Sequence, residues 1–425
     1  MIITSLLLAT GFVLQTPQGR PADTLSAPAH RALADLTYLA ADAREGRGIG
    51  TRGLQEAGTY LAQAFRTIGL APGASGGSYF QPFTIAPDAP IAIHSDAGGK
   101  STRNVIAVLR GRSPARRGEA IVIGAHYDHL GYGGFNAMDA PDSTGKVHNG
   151  ADDNASGTTA LLEVARRLVK RPLDRTVVFI AFSGEELGDL GSDYYVKHAT
   201  VPMDSIIAML NMDMVGRLRN EKLIVTGAAT AQEFPALLDS LNRTGGEPRF
   251  DLRASGDGWG PSDQASFFAV KRPVLQFFTD LHEDYHRTTD DVDKINVVGL
   301  EQVADYVADL ATALANRPAR LTFVDAPRPQ MATGGGYGAY LGTIPDMSES
   351  PGGVRISGTH KGGPADQAGL VAGDIITAIG EKTVANLYDM TDALRSHQPG
   401  DTVVVAVKRD TMALRLMVVL GKRGS

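Results

Sequence analysis

Apolar residues in this chain of 425 residues fall into two patterns. The first has a helical period. Leu54, Ala57, Leu61, Ala64, Phe65 and Ile68 recur at spacings of three and four, and Gly69 closes the run. That spacing predicts a helix over 54–68. The same period predicts helices over 161–169, stopped by Pro172, over 232–241 and over 298–314. The second pattern is continuous. Runs at 104–109, 120–125, 176–182, 206–210 and 273–278 are apolar almost throughout, as strands buried on both faces are, and 223–226 is a shorter example. A turn-rich basic segment, 111–118, separates the first two runs and predicts that they form an antiparallel pair. Strands alternating with helices predict an α/β fold with a mostly parallel sheet covered by helices on both faces.

Polar residues matter most at the ends of four of these strands. The run at 120–125 delivers His126, Asp128 and His129, and a Gly-rich excursion then ends in Asp152 and Asp153. The run at 176–182 delivers Glu185 and Glu186, the run at 206–210 delivers Asp213, and the run at 273–278 delivers His282 and His286. In open α/β sheets the C-terminal edge of the strands is where ligands bind. Carboxylates are rarely buried unless they are paired or hold a metal, so a cation at the strand tips is the simplest account.

The ligand candidates are His126, Asp153, Glu186, Asp213 and His286. Two imidazoles and three carboxylates without a thiolate suit zinc, with cobalt or manganese as substitutes. Spacing does not separate Asp153 from its neighbour Asp152. A carboxylate between two half-sites can bridge two cations, and such a pair lowers the pKa of bound water toward about 7. Glu185 stands next to a ligand and is placed to act as general base. Asp128, two residues after His126, is placed to accept the other imidazole N–H. His129, His148 and His282 lie near these motifs in sequence, whereas His94, His198, His360 and His397 read as surface or packing residues. Arg217 and Arg219 follow Asp213 and could offer cationic groups to a substrate. Trp259 and Asp263 are candidates for substrate contact, Phe267 and Phe268 for core packing, and Asp290-Asp291 for a cap before the last helix.

Composition adds three points. The net charge of −6 and the lack of a basic stripe leave no electrostatic footprint for nucleic acid. The absence of cysteine removes disulfides, thiolate metal sites and cysteine nucleophiles. The apolar run at 2–14 is too short to span a bilayer and resembles the core of a secretory signal peptide, although no Lys or Arg precedes it. It predicts a signal segment over 1–20 and export to a periplasmic or extracellular space. No integral membrane segment is expected elsewhere.

After Pro318 the pattern changes. Pro and Gly mark 319–336 as a linker, and short strands at 354–356, 374–379, 402–407 and 414–420 surround one helix at 387–395. The chain thus divides into a main domain over 21–318 and a small β-rich domain over 337–425.

The series His126-Tyr127-Asp128, Gly150 through Gly157, Gly184-Glu185-Glu186, Asn211-Met212-Asp213-Met214 and Tyr285-His286 resembles the co-catalytic dizinc aminopeptidases, which are related to the glutamate carboxypeptidase-like enzymes. The likeness covers roughly 33–314. It implies a zinc-exopeptidase fold with two Zn2+ ions per chain. His126 and Asp213 would hold one ion, Glu186 and His286 the other, and Asp153 would bridge them. Glu185 would be the base for hydrolysis of an N-terminal peptide bond by metal-held hydroxide, and the substrates would be peptides with a free N-terminus. His286-Arg287-Thr288-Thr289-Asp290 departs slightly from the family's His-Thr-x-x-Asp, and Gln264 stands where a His is more common. Rival readings are a carboxypeptidase of the same superfamily, a glutaminyl cyclase, and a non-catalytic peptide-binding protein. The C-terminal unit resembles a PDZ domain of the bacterial protease type. Tyr340-Leu341-Gly342 matches its carboxylate-binding loop and 363–376 the strand-turn-strand that follows. That likeness implies binding of peptide or protein C-termini by strand addition.

Overall fold

A computed structural model of the chain describes residues 25–87, 95–139, 142–327, 339–346 and 352–422. The signal segment and the glycine run at 334–336 lie outside the described residues. Among the described residues, no helix is long and apolar enough to cross a membrane.

The main domain is built on a nine-stranded sheet. Its strands are β1 (Ala71–Pro72), β2 (Phe80–Thr84), β3 (Ser101–Leu109), β4 (Ala120–His126), β5 (Thr176–Phe182), β6 (Ile206–Met212), β7 (Lys222–Thr226), β8 (Asp251–Ser255) and β9 (Val274–Phe278). In space the order is β1-β3-β5-β4-β6-β9-β7-β8, with β2 also on β3. The central four strands, β5-β4-β6-β9, are all parallel. β3 runs antiparallel to β5 and β7 antiparallel to β9, so the sheet as a whole is mixed.

The expected β3–β4 pair does not form. β5 lies between them, pairing Val105 with Ala181 on one side and Ala120 with Thr176 on the other. A strand buried on both faces can accept either neighbour, and the turn at 111–118 leaves room for a third strand.

Helices cover both faces. On one face pack α1 (Ala27–Leu39), α2 (Arg52–Ile68), α3 (Gly157–Leu168), α5 (Phe234–Asn242) and α7 (Val297–Asn316). On the other lie the shorter α4 (Leu190–Lys197) and α6 (Gln264–Ala269), where Tyr195 and Phe267 stack on each other and both meet Phe182 of the sheet edge-on. α2 shows how local chemistry sets an element. The Thr51 hydroxyl accepts from the Leu54 N–H, and Gly69 ends the helix in the left-handed conformation (φ 96°). Leu54, Ala57, Leu61 and Phe65 are buried against the sheet, each large side chain worth roughly 1.5–3 kcal/mol. The α7 cap is Asn296, whose side chain accepts from Gly299 N–H. Asp290-Asp291 therefore do not cap it.

The C-terminal unit has its own core, with Leu341, Ile356, Ile376, Val405 and Val418 at its centre. Its antiparallel sheet comprises β10 (Thr343–Pro345), β11 (Val354–Thr359), β12 (Ile375–Ile379), β13 (Lys382–Thr383), β14 (Thr402–Arg409) and β15 (Met412–Val419). The order is β10-β11-β12-β14-β15, which leaves β10 at an edge.

Candidate active site

Because β5, β4, β6 and β9 are parallel, their C-terminal ends share one edge. His126 is the last residue of β4, Glu185 and Glu186 follow β5 by three and four residues, and Asp213 follows β6 directly. His286 arrives on the segment after β9, and Asp153 on the loop that leads into α3. All five ligand candidates are buried to at least nine-tenths.

The geometry separates Asp153 from Asp152. Asp153 Oδ1 lies 3.4 Å from His126 Nε2, and its Oδ2 lies 3.1 Å from His286 Nε2. One carboxylate thus faces both imidazoles. Asp213 Oδ1 is 3.2 Å from His126 Nε2, and Glu186 Oε2 is 3.1 Å from His286 Nε2. Asp152 faces the opposite way. Its Oδ1 accepts from the Gly216 N–H (2.7 Å) and its Oδ2 meets His282 Nε2 (3.1 Å).

His286 is oriented from behind. Its Nδ1 meets the Asn136 carbonyl at 2.9 Å, which leaves Nε2 for the site, and the Asn136 amide donates to the Glu186 carbonyl at 3.1 Å. Such an outer partner fixes the tautomer of a ligating imidazole. Asp128 behaves differently from the expectation. Its carboxylate oxygen stands 3.8 Å from His126 Nδ1, while its backbone carbonyl is nearer at 3.3 Å. The carboxylate instead accepts the Glu185 N–H at 3.3 Å. Asp128 therefore ties the first motif to the third and positions Glu185.

Two residues at the site carried little sequence signal. His129 Nδ1 is 2.6 Å from Glu186 Oε1, and its Nε2 has no hydrogen-bond partner. Arg47 is buried behind the strand tips. It donates to the carbonyls of Tyr127, Leu39, Asn149 and Gly150 at 2.7–2.8 Å. Its loop presses on the Gly-rich excursion. A Cβ on Gly46 (φ +54°) would stand 2.4 Å from the carbonyl oxygens of Gly131 and His148, so only glycine serves there.

Charge follows this layout. Burial pulls the Arg47 guanidinium down to about 10, while Asp153, Asp128, Asp290 and Glu186 pull it back up. Burial also raises the Asp128 carboxyl to about 6 against the pull of His126. Glu185 is held well above the usual carboxylate range, first by burial and then by Asp189 and Asp213, with His126 opposing. Asp263 is buried with both oxygens unpartnered, and burial followed by Asp189 raises it strongly.

Other expected residues fall outside the cluster. Trp259 donates its indole N–H to the Ala326 carbonyl (3.0 Å) and packs edge-on against Phe268. Gln264 links Asn211 (3.1 Å) to Gln276 (3.0 Å) in a buried polar chain. Arg217 is held by Asp284 (2.9 Å) and Asp290 (3.3 Å), and Arg219 by the carbonyls of residues 279–281. Arg217 is thereby neutralised by two carboxylates, whereas Arg219 is exposed and uses only its Nη2. His148 sits on Asp139 (3.0 Å), and His282 belongs with Asp152.

The residues present fit a metal centre. His126, Asp153 and Asp213 each offer a ligand atom within 4.8 Å of the others, as do His129, Asp153 and Glu186. This N/O donor set, with a carboxylate shared between the two groups, suits zinc.

Residues 104–311 match Peptidase family M28, and residues 339–420 match the PDZ domain. Aminopeptidase YwaD of Bacillus subtilis is 29% identical over 216 residues, which covers 49% of this chain and 44% of that protein. The chain thus spans less than half of that relative's length. A Zn-dependent exopeptidase from Parabacteroides distasonis superposes with a TM-score of 0.55 at 20% identity, over 68% of this chain and 98% of the other. A glutaminyl cyclase from Porphyromonas gingivalis superposes with a TM-score of 0.54 at 20% identity, over 66% and 96%. At that identity the likeness is one of fold, and the fold is common to peptidase and cyclase. The chain therefore carries a Peptidase family M28 domain followed by a PDZ domain.

Proposed function

We propose that the protein is a dizinc aminopeptidase that removes residues from the free N-terminus of peptides. The observation that supports it best is Asp153, whose two oxygens face different imidazoles and so suit a bridge. His126 and Asp213 would hold one ion, and Glu186 and His286 the other. When bound, the ions supply Lewis acidity to the scissile carbonyl and make water a better nucleophile.

The protein's own residues supply positioning and proton transfer. Asp128 fixes the Glu185 backbone, and Glu185 Oε2 reaches to 3.7 Å from His126 Nε2 at the shared edge. Burial makes that carboxyl a ready proton acceptor, so it takes the proton from the attacking water and returns it to the leaving amine. The commitment of Arg217 to Asp284 and Asp290 weighs against a carboxypeptidase. The same proposal places the protein in an exported compartment, on the strength of the apolar run at 2–14.

Glu185→Ala tests the assignment. Metal content by elemental mass spectrometry and the thermal midpoint should stay near wild type, while turnover falls by about 10²–10⁴. Unchanged turnover removes Glu185 from the mechanism. A peptide panel with free and acetylated N-termini tests the reaction. Stepwise N-terminal loss from free peptides alone is expected, and C-terminal loss or release of ammonia from N-terminal Gln overturns the aminopeptidase reading.

A further inference from the structure

The PDZ unit meets the peptidase domain on the segment that carries His286. Lys222 Nζ bridges Asp280 (2.9 Å) of the peptidase domain and Asp346 (2.8 Å) of the PDZ unit, and Ser357 Oγ reaches Asp280 at 3.3 Å. Arg287 Nη2 lies 3.4 Å from His360 Nδ1. His360 in turn donates its backbone N–H to the Gly342 carbonyl (2.9 Å), and its ring stacks on Tyr340. One histidine therefore links the carboxylate-binding loop to the residue that follows a candidate metal ligand.

Two features at this junction lack partners. Among the described residues, Arg287 makes no ion pair, and its only side-chain contact is the neutral acceptor His360, whose pKa burial and the Arg287 charge push down to about 4. The N–H groups of Leu341 and Gly342 also donate to no described residue, although both residues are buried and Gly342 takes the left-handed conformation (φ +79°). Buried N–H groups without acceptors are rare, and successive ones form anion-binding nests. A half-buried guanidinium without a carboxylate completes a site for an anion. Beside the loop, β10 pairs among the described residues only with β11, so its other edge is placed to take an extended peptide.

We infer that Arg287, Leu341 and Gly342 form one composite site that holds the C-terminal carboxylate of the peptide being trimmed. The occupant is the substrate itself because the site adjoins the metal edge. Arg287 directly follows the candidate ligand His286, so the carboxylate site lies on the segment that leaves the metal edge, and an extended peptide of three to six residues reaches about 10–20 Å from it. The chain would then measure its substrate, binding short peptides by both ends. This inference rests on the aminopeptidase reading for the N-terminal end alone.

Two measurements on the full-length, zinc-loaded protein separate the claims. The first is fluorescence anisotropy with N-acetylated, labelled pentapeptides, which needs no turnover. The free acid should bind about tenfold more tightly than the C-terminal amide, and Arg287→Gln should remove most of that preference. Equal binding of acid and amide overturns the site, and an undiminished preference in Arg287→Gln removes Arg287 from it. The second is hydrolysis of three- to six-residue peptides with free N-termini. Amidation should raise KM about tenfold and change kcat less, and 15-residue peptides should show no such effect. An acid preference in binding with no amidation effect on KM assigns the site to a separate protein's C-terminus and overturns the substrate claim. Absence of hydrolysis defeats the aminopeptidase reading and with it the substrate claim, and the anisotropy result alone then judges the carboxylate site.

Discussion

Asp152 and Asp153 are adjacent in sequence, equally buried, and belong to opposite kinds of charge cluster. Asp152 joins Asp284 and Asp290 in a set that the protein neutralises itself. All six of their carboxylate oxygens take a donor: Gly216 N–H, His282, Arg217, Thr289, Lys294 and the N–H groups of residues 152 and 153. Asp153 joins Glu185, Glu186 and Asp213, which face imidazoles and one another. Around that second set, Asp128 Oδ2, His129 Nε2 and both oxygens of Asp263 are unpartnered, whereas in the first set the unpartnered atoms are nitrogens, His282 Nδ1 and Arg217 Nε, and no carboxylate oxygen. The nearest guanidinium, Arg47, directs its N–H groups to main-chain carbonyls and lends the carboxylates only its charge. A closed cluster of this kind reads as scaffold and an open one as a place for an external cation.

The contrast can be broken most forcefully at Arg47. Arg47→Met strands four buried carbonyls and removes the positive charge behind both clusters. It should cost about 3–5 kcal/mol, read as a fall in urea midpoint without a change in slope. A loss under 1 kcal/mol would mean that the two loops hold each other without it.

The aspartate pair gives a test of sign. With metal chelated, Asp152→Asn should destabilise by about 1–3 kcal/mol, because its donors lose a charged acceptor. Asp153→Asn should leave the apo protein unchanged or more stable, since it relieves repulsion. Zinc at about 100 times its Kd should then stabilise wild type by about 2.7 kcal/mol, and the Asp153→Asn variant by much less. Thermal melts of both variants with and without zinc would show it, and equal behaviour would erase the distinction.

The smallest effect is expected at Asp139, a closed site on the loop behind His286. Burial raises its carboxyl, but donors from Ser143, Thr288 and His148 outweigh that and hold it well below the usual range. A depressed carboxyl contributes stability that is present above its unfolded value of about 3.9 and is lost as pH falls through the folded value. Asp139→Asn should therefore destabilise by about 1 kcal/mol at pH 6 and by less at pH 3. A difference that grows toward acid would contradict this.

Legibility in the sequence followed burial. β4, β5, β6 and β9 were readable because strands enclosed on both faces are apolar throughout. β8 is mostly exposed and α4 is short, so neither left a periodic trace. Which strands pair was a tertiary question, and β5 between β3 and β4 answered it against the simplest hairpin. At the site, residues next to strand ends could be found, because a His or carboxylate is out of place there. Asp153 could not be told from Asp152, since that depends on which way a loop turns. His129 stood near the motifs but its pairing with Glu186 did not show, and Arg47 and the Arg287 partner His360 were hidden, because they meet the site through contacts some 73 to 103 residues away in the chain.

The strand order has a consequence for the newly made chain. β7 and β8 join the rest of the sheet only through β9, the last strand of the domain to be synthesised. Until Val274–Phe278 emerges from the ribosome, β6 keeps a bare hydrogen-bonding edge and β7 has no neighbour but β8. Nascent chains that stop short of β9 present just the unpaired strand edges on which chains aggregate. The same final segment brings His286, so the sheet closes only moments before its last candidate metal ligand arrives. A chain assembled in this order completes its candidate site at the end of folding rather than at the start.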